Sequence, residues 1–159
     1  MCEEGLKKIY IDLPNHWAIG GESMWAKPLG NNLFKIKNIP FYVYGLNFHD
    51  IVRATADPEE LKPRIRELVE PSGHKTFRVF FNKDIKRGQQ EKVLDLMKEL
   101  TISYERANDT FFSLDMEPTG NYQGVFDRLE EFEKQNILDF ETCEARVKGS
   151  FDDTFGEEE

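Results

Sequence analysis

The chain contains few of the residues that build metal centres, disulfide frameworks or membrane spans. Two cysteines and three histidines occur in its 159 residues. Cys2 and Cys143 stand at opposite ends, so a disulfide would require the two ends to meet, and two reduced thiols are the simpler expectation. No stretch approaches the roughly 20 apolar residues that a membrane helix needs. We therefore expect a cytoplasmic protein with no cofactor and no membrane association.

Spacings that signal catalysis are missing as well. His16, His49 and His74 lie far apart, and no second type of metal ligand stands at short spacing beside any of them. The chain has no G-x-S-x-G sequence, and the Gly20–Gly21 pair is not followed by the Lys-Ser/Thr of a phosphate loop. These observations predict no metal site and no catalytic residue. They favour a non-enzymatic protein and leave an enzyme as the alternative.

Acidic residues are concentrated in the second half. The net charge is −9, and residues 81–159 carry 20 acidic against 10 basic side chains, whereas residues 1–80 carry 10 against 11. Asp109 and Asp115 also flank the aromatic strand that an RNA-binding sheet would use. An acidic half repels phosphate backbones and attracts cations. We expect a basic protein partner and no nucleic acid, unless the acid only keeps the protein soluble.

The residues up to 72 are predicted to form short strands. Apolar and polar residues alternate in "KKIYIDL", "ESMWAKPL", "LFKIKNI", "FYVYGL" and "HDIVRATA", with Gly30–Asn32 as a turn. Asp57, Pro58 and Glu60 begin either a short helix with a capping box or a turn that leads into a strand. This pattern predicts a small β-barrel-like lobe over 1–72.

From His74 onward the periodicity of the apolar residues changes. The segments "HKTFRVFF", "ISYERAN", "TFFSLDM" and "LDFETCEARV" read as strands, and apolar residues at helical spacing predict helices in "RGQQEKVLDLMKELT" and "NYQGVFDRLEEFEKQNI". The order β-α-β-β-α-β predicts a ferredoxin-like unit over 73–150, followed by an acidic tail over 151–159. The predicted fold class is therefore α+β.

One group of polar residues is a candidate ligand-binding site. His74, Thr76 and Arg78 alternate, so they share one face of the predicted strand. A histidine, a hydroxyl and a guanidinium could bind a carboxylate or a phosphate, with Glu22 or Asp50 contributing across the junction of the two lobes. The alternative is a solvated outer face, which alternation alone also predicts.

Aromatic residues of the stretch "NIPFYVYGLNFHDIV" allow two interpretations. Tyr42 and Tyr44 alternate with an apolar pair, so one set should point inward and the other outward. If the tyrosines point outward, with Trp17 or Trp25 nearby, they form an amphipathic surface that could bind a partner. If they point inward, they belong to the core.

Three motifs resemble a bacterial family that is described as domain of unknown function number 4265. They are Glu-x-x-Trp-Ala from Glu22, Asn-Ile-Pro-Phe from Asn38, and Ser-Gly-His-x-Thr-x-Arg-Val from Ser72. The chain departs from the family in its acidic tail and at His49, where the family usually has a Gly before Asp50. The resemblance implies a bacterial protein with no established activity. By analogy with immunity and antitoxin-type inhibitors, small acidic proteins of this kind neutralise a basic partner.

Overall fold

The computed structural model describes residues 5–13 and 20–143. Packing of the backbone divides these residues into two compact units. The first runs to Ser72 and takes in Cys143, and the second spans Gly73–Thr142. Neither helix of the described part is long and apolar enough to cross a membrane.

The first unit is a closed barrel of five strands. Neighbouring strands pair antiparallel, and β1 and β5 close the barrel through a parallel contact between Tyr10 and Arg64. In chain order the strands are β1 (Lys7–Asp12), β2 (Gly21–Gly30), β3 (Leu33–Ile36), β4 (Ile51–Thr55) and β5 (Arg64–Glu70).

Alternation along these strands explains the barrel core. Side chains of successive strand residues point to opposite faces, so every second residue can enter the interior. The inward residues include Ile9, Met24, Ile36 and Val52, which are at most 1% exposed. Gly30, with a φ of 92°, starts the turn between β2 and β3, where left-handed backbone angles are needed.

The predicted strand "FYVYGL" is wrong, because residues 41–46 form an irregular loop. Strand alternation fails there: the neighbours Val43 and Tyr44 are both buried, at 0% and 5% exposure. His49 in the same connection has a φ of 71°. A left-handed backbone at this point suits the glycine that is usual in the resembling family, so the tight turn is present despite the histidine.

Residues 57–63 form a turn, which is one of the two structures expected from the sequence. The Glu60 N–H donates to the Asp57 carbonyl at 2.9 Å. The Glu60 side chain accepts the Asp57 N–H at 2.6 Å. The second bond is one half of a capping box, and the first is the backbone bond of a β-turn, so the two bonds close a turn rather than start a helix, and β5 follows directly.

The second unit is an antiparallel sheet in the order β7-β8-β6-β9. Phe77 and Val79 of β6 pack with Leu94 of the first helix and Leu129 of the second in one core, so both helices lie on the same face. The Asn121 side chain accepts the Gly124 N–H at 3.0 Å, which starts the second helix. The elements are β6 (Lys75–Phe81), α1 (Arg87–Lys98), β7 (Ile102–Arg106), β8 (Phe111–Met116), α2 (Tyr122–Lys134) and β9 (Leu138–Thr142).

The predicted class, α+β with a ferredoxin-like second unit, is wrong. Among the described residues, nine strands stand against two helices of 12 and 13 residues, so the fold is mostly β. The prediction relied on the order of elements in the second half. It gave too little weight to the first half, whose strands close into a barrel of their own. The predicted tail 151–159 lies outside the described residues.

Candidate functional site

Glu22 of β2 points into the first unit and binds backbone amides. Its carboxylate accepts three N–H groups, from Phe41 at 2.6 Å and from Tyr42 and Val43 at 2.9 Å each. Glu22 is 9% exposed. A buried carboxylate with three charge-assisted hydrogen bonds holds residues 41–43 of the irregular loop in one conformation.

Asp50, the residue before β4, also accepts backbone N–H groups with its carboxylate. One carboxylate oxygen accepts the Asn47 N–H and the other accepts the Ser72 N–H, both at 2.8 Å. The Ser72 hydroxyl donates to the Phe48 carbonyl at 2.7 Å. Asp50 is 1% exposed, so this carboxylate ties the end of the first unit to the loop before β4. A ligand-binding role for Glu22 or Asp50 stays a prediction.

The polar face of β6 is buried, and the alternative of a solvated outer face is wrong for Thr76 and Arg78. Their exposures are 3% and 0%. Strand register places Thr76 opposite Asp115 and Arg78 opposite Ser113, and the latter two are also buried. On the other side of Arg78, a guanidinium nitrogen lies 3.6 Å from a carboxylate oxygen of Glu141 in β9.

His74 and Asp115 form a pair that sequence reasoning did not find. The Nδ1 atom of His74 lies 2.9 Å from both carboxylate oxygens of Asp115, and the two side chains are 12% and 3% exposed. A carboxylate on Nδ1 fixes the orientation and tautomer of an imidazole. The pair depends on the register of β6 and β8, which brings together residues that are 41 positions apart. A binding role for His74, Thr76 and Arg78 stays a prediction.

The residues predicted to bind a partner have different environments. Tyr44 is buried at 5% exposure and Tyr42 packs against the barrel core. Trp25 is half-buried on the outside of β2, and the Lys8 ammonium lies 4.3 Å from its ring centroid. Trp17 and His16 lie outside the described residues. Of the described residues in the predicted surface, Tyr44 is buried, and Trp25 and Tyr42 are partly exposed, so a partner-binding role stays a prediction.

No group of three or more His, Cys, Asp or Glu side chains that could hold a metal ion occurs within residues 5–13 and 20–143. An open depression of about 650 Å³ lies beside the edge strand β7, and none of the predicted site residues lines it. Its lining residues are Lys98, Thr101, Ile102, Ser103, Tyr104 and Glu117.

A small network on the barrel shifts three pKa values. The pKa of the Glu60 carboxyl is lowered, first by the Asp57 N–H and then by the Arg64 guanidinium and the Tyr10 hydroxyl, despite partial burial. Burial and the hydrogen bond to Glu60 raise the pKa of Tyr10. The same carboxylate raises the pKa of Arg64. Acidic residues near β5 are therefore engaged with arginines.

Four lysines, three on β1, β2 and β3 and one directly after β3, form a surface that we call the lysine face: Lys8, Lys27, Lys35 and Lys37. Lys27 and Lys35 are direct cross-strand partners. Lys8 pairs with Trp25, whose carbonyl also accepts the Lys37 N–H at 2.8 Å. In the part of the chain that the structure describes, none of the four lysines forms an ion pair.

Three described acidic side chains of the barrel bind groups other than the lysine face. Glu22, on β2, is directed inward to the loop amides. Asp12, at the end of β1, lies 3.8 Å from Arg64. Glu67 binds Arg53 at 2.8 Å. Among the described residues, the barrel therefore has ion-paired charges around β4 and β5 and lysines without an ion pair on β2 and β3.

Comparisons with known proteins give a family and a similar solved structure. A search of the curated proteins gave no match. A crystal structure of a hypothetical protein from Neisseria gonorrhoeae is similar, with a TM-score of 0.73 and 18% sequence identity over 90% of this chain and 97% of that one. At this identity the similarity shows the fold alone. The family described as Domain of unknown function (DUF4265) matches residues 22–140, which is most of the chain, and the chain belongs to this family.

Proposed function

We propose that this protein is a binding module that receives an anionic partner on the lysine face of its barrel. The observation that carries the proposal is the direct pairing of Lys27 with Lys35 across β2 and β3. Like charges that face each other in a sheet destabilise it, because their Cβ atoms lie only about 5 Å apart. Within residues 5–13 and 20–143, neither lysine forms an ion pair that offsets this repulsion.

A local cost of this kind is expected at a functional surface. Sequences in general place favourable pairs across strands and depart from the rule where another requirement dominates. An anion bound between the two ammonium groups would convert the repulsion into attraction. The outer strand face offers the Lys8 ammonium beside Trp25 as a further cationic contact. Lys37 lies across from Trp25 on the other side, with its ammonium 3.0 Å from Nε2 of His49.

The double variant Lys27→Gln/Lys35→Gln separates binding from stability. Removing the two charges should leave the free energy of unfolding unchanged or raise it by about 0.5 kcal/mol, because a like-charge pair is lost. Affinity for heparin, used as a defined polyanion, should fall about tenfold at 50 mM salt. Binding is measured by calorimetric titration of the full chain, and stability by urea unfolding.

The matched control is Lys83→Gln/Lys92→Gln, which removes two exposed lysines from the second unit. It lowers the net charge equally, so it should leave heparin affinity within about twofold of the parent if the lysine face is the site. Equal losses in both double variants would show a non-specific charge effect and contradict the proposal. So would an absence of heparin binding by the parent protein.

A second proposal concerns a basic protein partner, as an immunity or antitoxin-type inhibitor would have. Exposed Asp127 and Glu131 lie at i and i+4 on α2, with Glu130 between them. Like charges at this spacing destabilise a helix by a few tenths of a kcal/mol, roughly 0.2–0.5. A cationic partner would relieve this repulsion and would be attracted to the acidic second unit.

The variant Asp127→Asn/Glu131→Gln tests the second proposal. Its affinity for an oligo-arginine peptide should fall about fivefold, and the loss should shrink as salt is raised because the interaction is screened. The control Glu91→Gln/Asp95→Asn removes two exposed acids at the same spacing from α1 and should bind the peptide like the parent. Identical behaviour of the two variants would sink the idea that α2 receives the partner.

A further inference from the structure

Trp25 gives the lysine face a feature that a purely ionic site does not need. Its cross-strand neighbours are two lysines: Lys8 lies opposite it on β1, and Lys37, the residue after β3, donates its backbone N–H to the Trp25 carbonyl. The Lys37 ammonium itself lies 3.0 Å from Nε2 of His49. The Lys8 ammonium lies 4.3 Å from the ring centroid, so a cation already rests on the aromatic face. Trp25 is only half-buried.

A second aromatic residue lies diagonally across the same two strands. Tyr10 pairs with Ser23, two positions from Trp25, so the two rings occupy neighbouring outward positions of β1 and β2. The Lys62 ammonium lies 5.8 Å from the Tyr10 ring centroid. Aromatic rings and lysines thus alternate across a short, continuous stretch of the barrel surface.

We infer that the anionic partner of the lysine face is a single-stranded nucleic acid, which binds with a base on Trp25 and its phosphates on the surrounding lysines. The inference rests on the proposed function and names its ligand class. Sequence-tolerant single-strand binding combines a cationic surface with aromatic side chains on which bases stack. An acidic peptide would satisfy the lysines and would leave the ring without a planar partner.

The net charge of −9 led to the opposite expectation from the sequence. The acidic excess, however, belongs to residues 81–159, whereas the lysine face is formed by β1, β2 and β3. At physiological salt the field of an exposed charge is screened over about 8 Å. A ligand on the face therefore responds chiefly to charged groups within about this distance, which include the lysines of the face.

The salt dependence of binding is a quantitative expectation. Four lysines that each neutralise one phosphate of a single strand give a slope of log K against log salt of about −3. Affinity for a twelve-residue oligothymidylate should then fall about fifty-fold between 50 and 200 mM salt. Each lysine replaced by glutamine should reduce the slope by about 0.7.

The decisive comparison uses fluorescein-labelled oligothymidylate and an abasic strand of the same length, which has the same phosphates and no bases. The full-length protein should bind the first at least about fivefold more tightly, because stacking on an aromatic residue adds to the ionic contacts. Trp25→Leu should abolish this difference and keep the abasic affinity. The control Phe126→Leu, at a half-buried aromatic residue of α2, should leave the difference intact.

A failure of the nucleic-acid inference can be distinguished from a failure of the proposed anion binding on the lysine face. Equal affinity for both strands, or a difference that survives Trp25→Leu, would overturn the nucleic-acid inference and leave lysine-dependent polyanion binding in place. Tighter binding of a polyglutamate peptide than of oligothymidylate would also overturn it, in favour of an acidic protein segment. If Trp25→Leu does not fold, Lys8→Gln and the quenching of Trp25 emission by oligothymidylate in a Trp17→Phe background provide the same test. No quenching would contradict stacking.

Discussion

Replacing Glu22 by alanine is expected to destabilise the protein by about 4 kcal/mol, because three buried N–H groups lose one charged acceptor. The amides of Phe41, Tyr42 and Val43 lie 2.6–2.9 Å from its carboxylate oxygens. A hydrogen bond to a charged group contributes about 1.5–3 kcal/mol, and water that enters the loop recovers part of the loss. Urea unfolding followed by tryptophan fluorescence measures the change, since Trp25 lies on the same strand as Glu22.

Glu22→Gln refines this prediction, because an amide oxygen can still accept hydrogen bonds while its NH₂ group faces a donor. The expected loss is about half that of alanine. Glu67→Ala is the matched control: its carboxylate is 55% exposed and binds Arg53, so its removal should cost less than about 1 kcal/mol. If Glu22→Ala unfolds at the same urea concentration as the parent, the carboxylate does not hold the loop.

Leu129→Ala is expected to cost about 3 kcal/mol, because it leaves a cavity in the core of the second unit. Leu129 is 0% exposed and packs in one cluster with Phe77 of β6 and Leu94 of α1. The surrounding strand and helices cannot collapse fully into the vacated space, so dispersion contacts are lost in addition to hydrophobic transfer. Circular dichroism at 222 nm during urea unfolding measures the loss, since α1 and α2 belong to this unit.

The control makes the same substitution at an exposed position. Leu96 of α1 is 42% exposed, and alanine is the best helix former, so Leu96→Ala should change the free energy of unfolding by no more than about 0.5 kcal/mol. Comparable losses in both variants would mean that helix propensity, and not core packing, determines the effect. Such a result would contradict the assignment of Leu129 to the core.

Several elements followed from local sequence. Helices α1 and α2 were expected because their apolar residues recur at helical spacing, and both occur, with the Asn121 side chain at the start of α2. Alternation also placed Ile9 and Ile11 on one face of β1 and Tyr10 and Asp12 on the other. Such patterns are sufficient to predict a helix or a strand where one face of the element is buried and the other is not.

The loop at 41–46 shows where local pattern fails. Its alternating aromatic residues satisfy the rule for a strand, yet its amides bind the carboxylate of Glu22, about 20 positions earlier. No local signal reveals that a distant side chain will take the place of a neighbouring strand. The pair of His74 and Asp115 was missed for the same reason, since only the register of β6 and β8 brings them together.

By itself the sequence determined the strand and helix periodicities, the inward residues of most elements, the separation of acidic from basic charge along the chain, and the family. Only the tertiary structure decided that five strands close into a barrel, that Thr76 and Arg78 are buried, and that Lys27 faces Lys35 beside Trp25. The physical reason is that periodicity fixes which side of a strand a residue occupies. Pairing between strands that are distant in sequence fixes which residues become its neighbours.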